Sequence, residues 1–226
     1  MIKALHLKAL FWLAVGTWAL ALLLSGEPVS VAILKPSGLV LGVVAASVAL
    51  FERYVWRWRL LRPWFVSAPD VNGTYFGTIT TSWTDPKGEV QHKEIVAYLT
   101  ILQTLSSLKA RLFTAESASV SLCGQLLESD DHHWEVVTTY RNEPRLMAQD
   151  RSRIHHGGTR LQIHGLTSPR LAGSYFTDRG TYGEMTFERV SRERSMSFAD
   201  AAKLLESAPL NPKVKALPKS KPETSE

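Results

Sequence analysis

Two short runs carry most of the chemistry available to this sequence. One is Tyr140-Arg141-Asn142-Glu143-Pro144; the other is Leu171-Ala172-Gly173-Ser174-Tyr175-Phe176-Thr177-Asp178-Arg179. Alternate residues of an extended strand share a face, so Gly173, Tyr175 and Thr177 stand together, with Arg179 just past them. A ring, a hydroxyl and a guanidinium in series could stack a base and pair a phosphate. The same three side chains would serve equally as core and cap residues of a β-barrel. Asn142-Glu143-Pro144 reads as a turn, because Pro144 restrains Glu143 to extended backbone. It would open a long irregular connection from Asn142 to Gly157.

No catalytic signature accompanies these runs. HExxH, the nucleophile elbow, the Walker loop and the Rossmann glycine pattern are all missing, so no catalytic residues and no enzyme activity are expected. The seven histidines include the pairs His132-His133 and His155-His156. Neighbours on a strand face opposite ways, so neither pair makes a metal clamp, and neither a metal site nor a cofactor is expected. His132-His133 follows Asp130-Asp131 and reads as a solvated hairpin turn. The single cysteine, Cys123, excludes an internal disulfide, which fits a reducing cytoplasm. Its apolar setting, Val120-Ser121-Leu122-Cys123, predicts a buried, inert thiol.

The elements that must position these residues are strands. Alternating patterns rich in Val, Thr, Tyr and Ile predict strands over Gly73–Ser82, His92–Gln103, Ser107–Thr114, Ala118–Glu128, His132–Arg141, Gly158–Leu166, Arg170–Thr177 and Gly183–Val190. Asp85-Pro86-Lys87-Gly88, Ser129-Asp130-Asp131 and Ser168-Pro169 supply turns. Eight strands joined mostly by short turns suit an up-and-down meander, and closure into a barrel removes its exposed edges. An open sheet or sandwich is the alternative. Ser197 is placed to cap a short helix whose Phe198, Ala201, Leu204 and Leu205 form a docking stripe, with Asp200 at the third helical position. From Ala208 to Glu226, Pro, Lys, Ser and Glu dominate and predict disorder.

The first 67 residues are of another kind. Ala9–Leu24 is apolar and uncharged, and a second apolar run begins at Ser37. They predict two short transmembrane helices, over about residues 9–25 and 37–56, forming a hairpin ahead of a soluble domain at 68–207. Trp12, Trp18, Trp56 and Trp58 are candidate interfacial anchors. Gly26-Glu27-Pro28 and Lys35-Pro36 mark a tight connection, and Val29–Leu34 is either a partly immersed turn or the start of the second span. The rival, a cleavable signal peptide, lacks a clean small-x-small site. Lys3 and Lys8 precede the first span, and Arg53, Arg57, Arg59 and Arg62 follow the second, so both ends are expected in the cytoplasm. Gly38, Gly42 and Ala46 line one flat helix face, on which either the first span or a second molecule could pack.

Charge distribution excludes a nucleic-acid coat. The chain carries a net +5, but residues 68–190 hold three Lys and nine Arg against fourteen Asp and Glu. The basic excess sits beside the membrane segments and in the tail, so no DNA or RNA polymer partner is expected. A small anionic ligand needs only a few well-placed arginines, for which Arg179, Arg141, Arg153 and Arg170 are candidates.

The order of motifs carries a resemblance. Two apolar spans are followed by Gly73-Thr74-Tyr75-x-Gly77, the strand ending at Gln103, Tyr140-x-Asn142-Glu143-Pro144 and His156-Gly157-Gly158-Thr159. Leu171-x-Gly173-x-Tyr175-x-Thr177-x-Arg179 and Ser197-Phe198 complete the series. The arrangement resembles the two-transmembrane β-barrel effectors associated with CD-NTases in bacterial CBASS anti-phage systems. It implies a membrane-anchored all-β protein: two N-terminal transmembrane helices, an about eight-stranded up-and-down barrel and a short C-terminal helix. It further implies that the cytoplasmic barrel binds a cyclic dinucleotide made by a CD-NTase. Binding would promote homo-oligomers in the inner-membrane bilayer and disrupt it, so that the infected cell dies. Tyr75, Tyr140, Arg141, Asn142, Glu143, Tyr175, Thr177 and Arg179 are the expected ligand-binding residues, and Gly38, Gly42 and Ala46 the expected oligomerisation face. The alternatives are a membrane-anchored barrel carrying a lipid or other apolar ligand, and a ligand-free anchoring scaffold. A lumen lined by Arg and aromatic groups distinguishes the first from a wholly apolar one; a filled lumen would move a nucleotide to the rim.

Overall fold

A computed structural model describes residues 4–25, 37–62, 64–85, 87–131, 133–150, 152–165 and 169–207. The expected connection over 26–36, including Val29–Leu34, and the expected disordered tail over 208–226 lie outside the described residues, as does His132. The chain divides into two compact units, Met1–Ser67 and Ala68–Glu226.

In the first unit, α1 (Ala4–Ser25) packs against α2 (Ser37–Arg53). Among the described residues no helix is long and apolar enough to cross a membrane. The second helix stops at Arg53, short of the expected position 56, because Tyr54 leaves helical geometry at ψ -52 and φ -130 and a separate 3-10 turn spans Val55–Arg57. Trp56, expected as an interfacial anchor, is fully buried, with the guanidiniums of Arg57 and Arg62 each 5.5 Å from its ring centroid. Trp12 and Trp58 are largely exposed. Space is open where a Cβ would stand at Gly38 or Gly42, so α1 does not occupy the glycine face.

In the second unit eight strands close into an up-and-down antiparallel barrel. They are β1 (Gly73–Thr84), β2 (Val90–Gln103), β3 (Leu108–Phe113), β4 (Ser117–Glu128), β5 (Trp134–Pro144), β6 (His155–His164), β7 (Arg170–Thr177) and β8 (Tyr182–Ser191). Each pairs with the next, and β8 returns to β1 through pairs such as Gly77–Phe187 and Ile79–Met185. All eight expected strands are present, and the sandwich alternative falls. The expected turn at Asn142-Glu143-Pro144 does not form: β5 runs to Pro144, which pairs with Ser117 of β4. A proline is tolerated at the end of a strand, where few ladder bonds remain to be made. The irregular connection shrinks accordingly, since β6 begins at His155.

Alternation sorts the inward side chains. Tyr75, Leu99, Ile101, Leu108, Val136, Leu161, Leu171 and Phe187 fill the lower lumen, each stabilising by about 1.5–3 kcal/mol if fully buried. Outside, Phe76, Tyr98 and Phe113 receive Phe198, Ala201, Ala202 and Leu205 of α3 (Phe198–Ser207). The expected cap is in place: the Asp200 N–H donates to Ser197 Oγ at 3.1 Å, and the Ser197 hydroxyl donates to Asp200 Oδ2 at 2.7 Å. Cys123 is exposed rather than buried. A β-bulge between Ser121 and Cys123 interrupts the alternation and turns Leu122 and Cys123 outward.

A polar strap closes the lower end. Gln103 Oε1 accepts the Val71 N–H at 2.8 Å and its Nε2 donates to Pro69 O at 2.9 Å, while its backbone N–H reaches Asn72 Oδ1 at 2.8 Å. The Tyr75 hydroxyl donates to Val71 O at 2.9 Å, and Arg192 pairs with Asp70 at 3.2 Å. Gln103→Leu therefore strands a buried N–H and a buried carbonyl, at about 1–3 kcal/mol each. Thermal unfolding of the full chain should show a midpoint roughly 5–15 °C lower for this variant; a midpoint within about 2 °C of wild type would show that the strap contributes little.

Candidate ligand-binding site

The opposite end of the barrel is open. The ends of β1, β3, β5 and β7 and the starts of β2, β4, β6 and β8 surround a cavity of about 860 Å³, large enough for a compact organic ligand. Below it lies a mostly apolar void of about 30 Å³ between Leu99, Ile101, Val136, Leu161 and Phe187, too small for an organic ligand. The barrel is thus filled below and open above.

Two tyrosines form much of the floor. Tyr140 faces Gly157 across the β5–β6 pair, and a Cβ on Gly157 would stand 2.5 Å from the Tyr140 hydroxyl oxygen. Tyr175 faces Gly183 across β7–β8, where a Cβ would come within 2.9 Å of its ring. Both glycines make room for a ring laid along the wall. Burial raises the pKa of both phenols, so each stays protonated and able to donate.

The walls above mix apolar side chains such as Ile79, Ile95, Leu112 and Met185 with polar ones. Thr81 and Trp83 stand on β1, Lys93 on β2, Ser117 and Ser119 on β4, and Asn142 on β5. Ser119 and Asn142 are direct cross-strand partners, and the Ser119 hydroxyl donates to Asn142 Oδ1 at 2.8 Å. Thr177 closes the β7–β8 turn: its oxygen lies 2.6 Å from Thr181 Oγ1 and accepts the Arg179 N–H at 3.3 Å. The turn aims Arg179 toward the connection opposite, where Nη1 donates to Ser152 Oγ at 3.2 Å. Lys93, Arg179 and His155 are the basic groups of the rim; Glu94 and Glu116 stand there too.

The structure divides the expected ligand set. Tyr140, Asn142, Tyr175, Thr177 and Arg179 line one cavity. Tyr75 stands at the closed end, fully buried and bonded to the strap. Arg141 and Glu143 point outward from β5, because they alternate with the inward Tyr140 and Asn142, and pair with each other in solvent at 3.2 Å. Trp83, Lys93 and His155 were not anticipated. Lys93 has the same strand parity as Leu99 and Ile101, and a lysine on the inward parity was the available signal. Among the described residues no cluster of three or more His, Cys, Asp or Glu could hold a metal.

His155 and His156 face opposite ways. The His155 ring lines the cavity, and its Nδ1 lies 3.0 Å from Arg153 O, so that nitrogen carries hydrogen. His156 lies outside, where its N–H donates to Asp178 Oδ2 at 3.0 Å and holds that carboxyl below its usual pKa.

A filled lower barrel beneath one concave mouth of mixed polar and apolar lining has the form of a small-ligand binding domain. Residues 66–189 match the model of a family described as Cap15, cyclic dinucleotide receptor domain, and the chain belongs to that family, a CBASS effector family. No curated protein matches the chain.

Burial holds His155 below its ordinary value of 6.5, so the folded chain takes up this proton less readily than the unfolded one. Stability from this source is fully present above about pH 6.5 and is lost as pH falls through the lower folded value. His155→Phe should therefore flatten the decline of the unfolding midpoint between about pH 7 and 5; an unchanged slope would contradict it. Asp178 acts in stronger acid, since its lowered pKa confers stability lost only as pH falls through that value.

Proposed function

We propose that this protein is the effector of a bacterial CBASS anti-phage system, and that its barrel mouth binds a cyclic dinucleotide made by a CD-NTase. The observation that carries this reading is the juxtaposition of Lys93 and Arg179 with Trp83, Tyr140 and Tyr175 in one cavity of a cyclic dinucleotide receptor domain. Two phosphates call for cationic donors, and bases call for ring faces. Lys93 and Arg179 flank β1, on β2 and beyond β8, so a phosphate ring seated over Thr81 and Trp83 has a cation on each side. A lipid carrier would need an apolar tube through the barrel; here the lower lumen is filled, and the mouth sets Lys93, Arg179 and Asn142 among its apolar residues.

Residues 1–67 serve in this reading as a two-helix anchor in the inner membrane, with both ends in the cytoplasm, and residues 68–207 as the sensor. The uncharged run Ala9–Leu24 and the arginines after α2 support that placement. A ligand drives assembly only if it binds the assembled state more tightly than the free one. The exposed Gly38, Gly42 and Ala46 face supports homo-oligomers forming through α2, with bilayer disruption as the output.

Calorimetry of the full chain in detergent with a panel of cyclic dinucleotides tests the receptor. Lys93→Gln and Arg179→Gln should each weaken the best ligand by at least about tenfold, each removing a charge-assisted bond. Arg141→Gln, on the outer wall, should leave affinity unchanged. No binding by any member of the panel, or equal loss in all three variants, would overturn the assignment. In dye-loaded vesicles, Gly42→Leu should reduce ligand-triggered leakage while leaving affinity intact; undiminished leakage would remove that helix face from the mechanism.

A further inference from the structure

We infer that the mouth selects a ligand base bearing carbonyl acceptors, guanine or uracil, over adenine, through an Asn142 amide held in one orientation by Ser119. This inference rests on the cyclic dinucleotide reading above.

Ser119 and Asn142 are both buried and face each other across the β4–β5 ladder on the cavity wall. A serine hydroxyl has one hydrogen, and Ser119 gives it to Asn142 Oδ1 at 2.8 Å. The amide oxygen is thereby turned to the wall and the NH2 group is left to serve the cavity. Among the described residues no other hydrogen bond engages this side chain. Asn142 therefore meets a ligand mainly as a donor.

That asymmetry has a chemical consequence. An asparagine recognises adenine by donating to a ring nitrogen and accepting from the exocyclic amino group, which needs Oδ1. With one lone pair of Oδ1 taken by Ser119, adenine keeps only the donation onto a ring nitrogen, and its amino group lies against the buried amide NH2, donor against donor. Guanine presents O6 beside N7, and uracil presents ring carbonyls; each accepts what Asn142 offers. A polar site rejects a ligand that leaves its buried groups unpaired far more strongly than an apolar pocket rejects a change of size.

Barrel geometry puts a base within reach. Asn142 lies on β5, four strands from β1 whichever way round the barrel is followed. With the phosphates between Lys93 and Arg179 on the β1 side, a base extended across the mouth arrives at the β4–β5 wall. Tyr140, two residues before Asn142 on the same face, offers its ring beneath. Asn142 is the reading group, and Ser119 positions it.

The test is calorimetry of the full chain with cyclic di-GMP, cyclic di-UMP and cyclic di-AMP. At least one of the first two should bind about tenfold or more tighter than the third. Ser119→Ala frees Oδ1 and should narrow that ratio below about threefold, whereas Ser119→Thr, which keeps the hydroxyl, should preserve it. Asn142→Asp, an acceptor in place of a donor, should lose the carbonyl-bearing ligand. The ratio is the decisive readout, because a merely structural role for Ser119 would weaken all three ligands together. Cyclic di-AMP binding as tightly as the other two, or a ratio unmoved in Ser119→Ala, overturns base selection while leaving the receptor reading intact. No binding of any of the three by wild type overturns this inference, while the receptor reading falls only if the whole panel of cyclic dinucleotides, mixed-base members included, fails to bind.

Discussion

An eight-stranded barrel encloses little more room than its own inward side chains occupy. Everything in the receptor unit follows from how the inward positions are spent along each strand. Toward the lower end they are large and apolar: Tyr75 on β1, Leu99 and Ile101 on β2, Leu161 on β6, Leu171 on β7 and Phe187 on β8. Toward the upper end they become Thr81, Lys93, Ser119, Asn142 and Thr177. The same eight strands therefore build a packed core at one level and a solvated bowl at the other.

That division decides which residues can meet a ligand. Tyr140 and Tyr175 lie at the boundary, laid over Gly157 and Gly183, and close the bowl against the core. The strap from Pro69 to Asn72 seals the far end around Gln103. In the proposed function, a change at the mouth reaches the strap along β1 and β2, which run from Trp83 and Lys93 to Gly73 and Gln103, and through the close-packed core between them. The network of Thr74, Thr100 and Ser195 ties the segment before α3 to the same end of the barrel.

The strand order and the closed meander were legible because period-two alternation is strong where one face is buried. The details that escaped are those in which one residue's usual preference competes with the ladder. Pro144 suggested a turn after Tyr140, yet β5 carries it as its last residue, which brings Asn142 inward and sends Arg141 and Glu143 outward. Cys123 looked buried from its neighbours, but the bulge at Leu122 reverses the parity there. Tyr75 and Tyr175 carry similar motifs, and only the register shows that one lies at the strap and the other at the mouth. Trp83 and Lys93 belong to no motif. Counting by twos from Tyr75 and back from Ile101 would have found them, because the core residues mark which parity faces in.

In the proposed function the barrel mouth, rather than the closed end or the outer wall, takes a cyclic dinucleotide. Amide hydrogen exchange on the full chain, with and without a saturating cyclic dinucleotide, reads this strand by strand. Slower exchange is expected at the mouth ends of the strands, over residues 79–84, 93–96, 140–144 and 175–181, with little direct change over 69–75. Protection confined to the strap or to the outer face beneath α3, with the mouth unaffected, would contradict it.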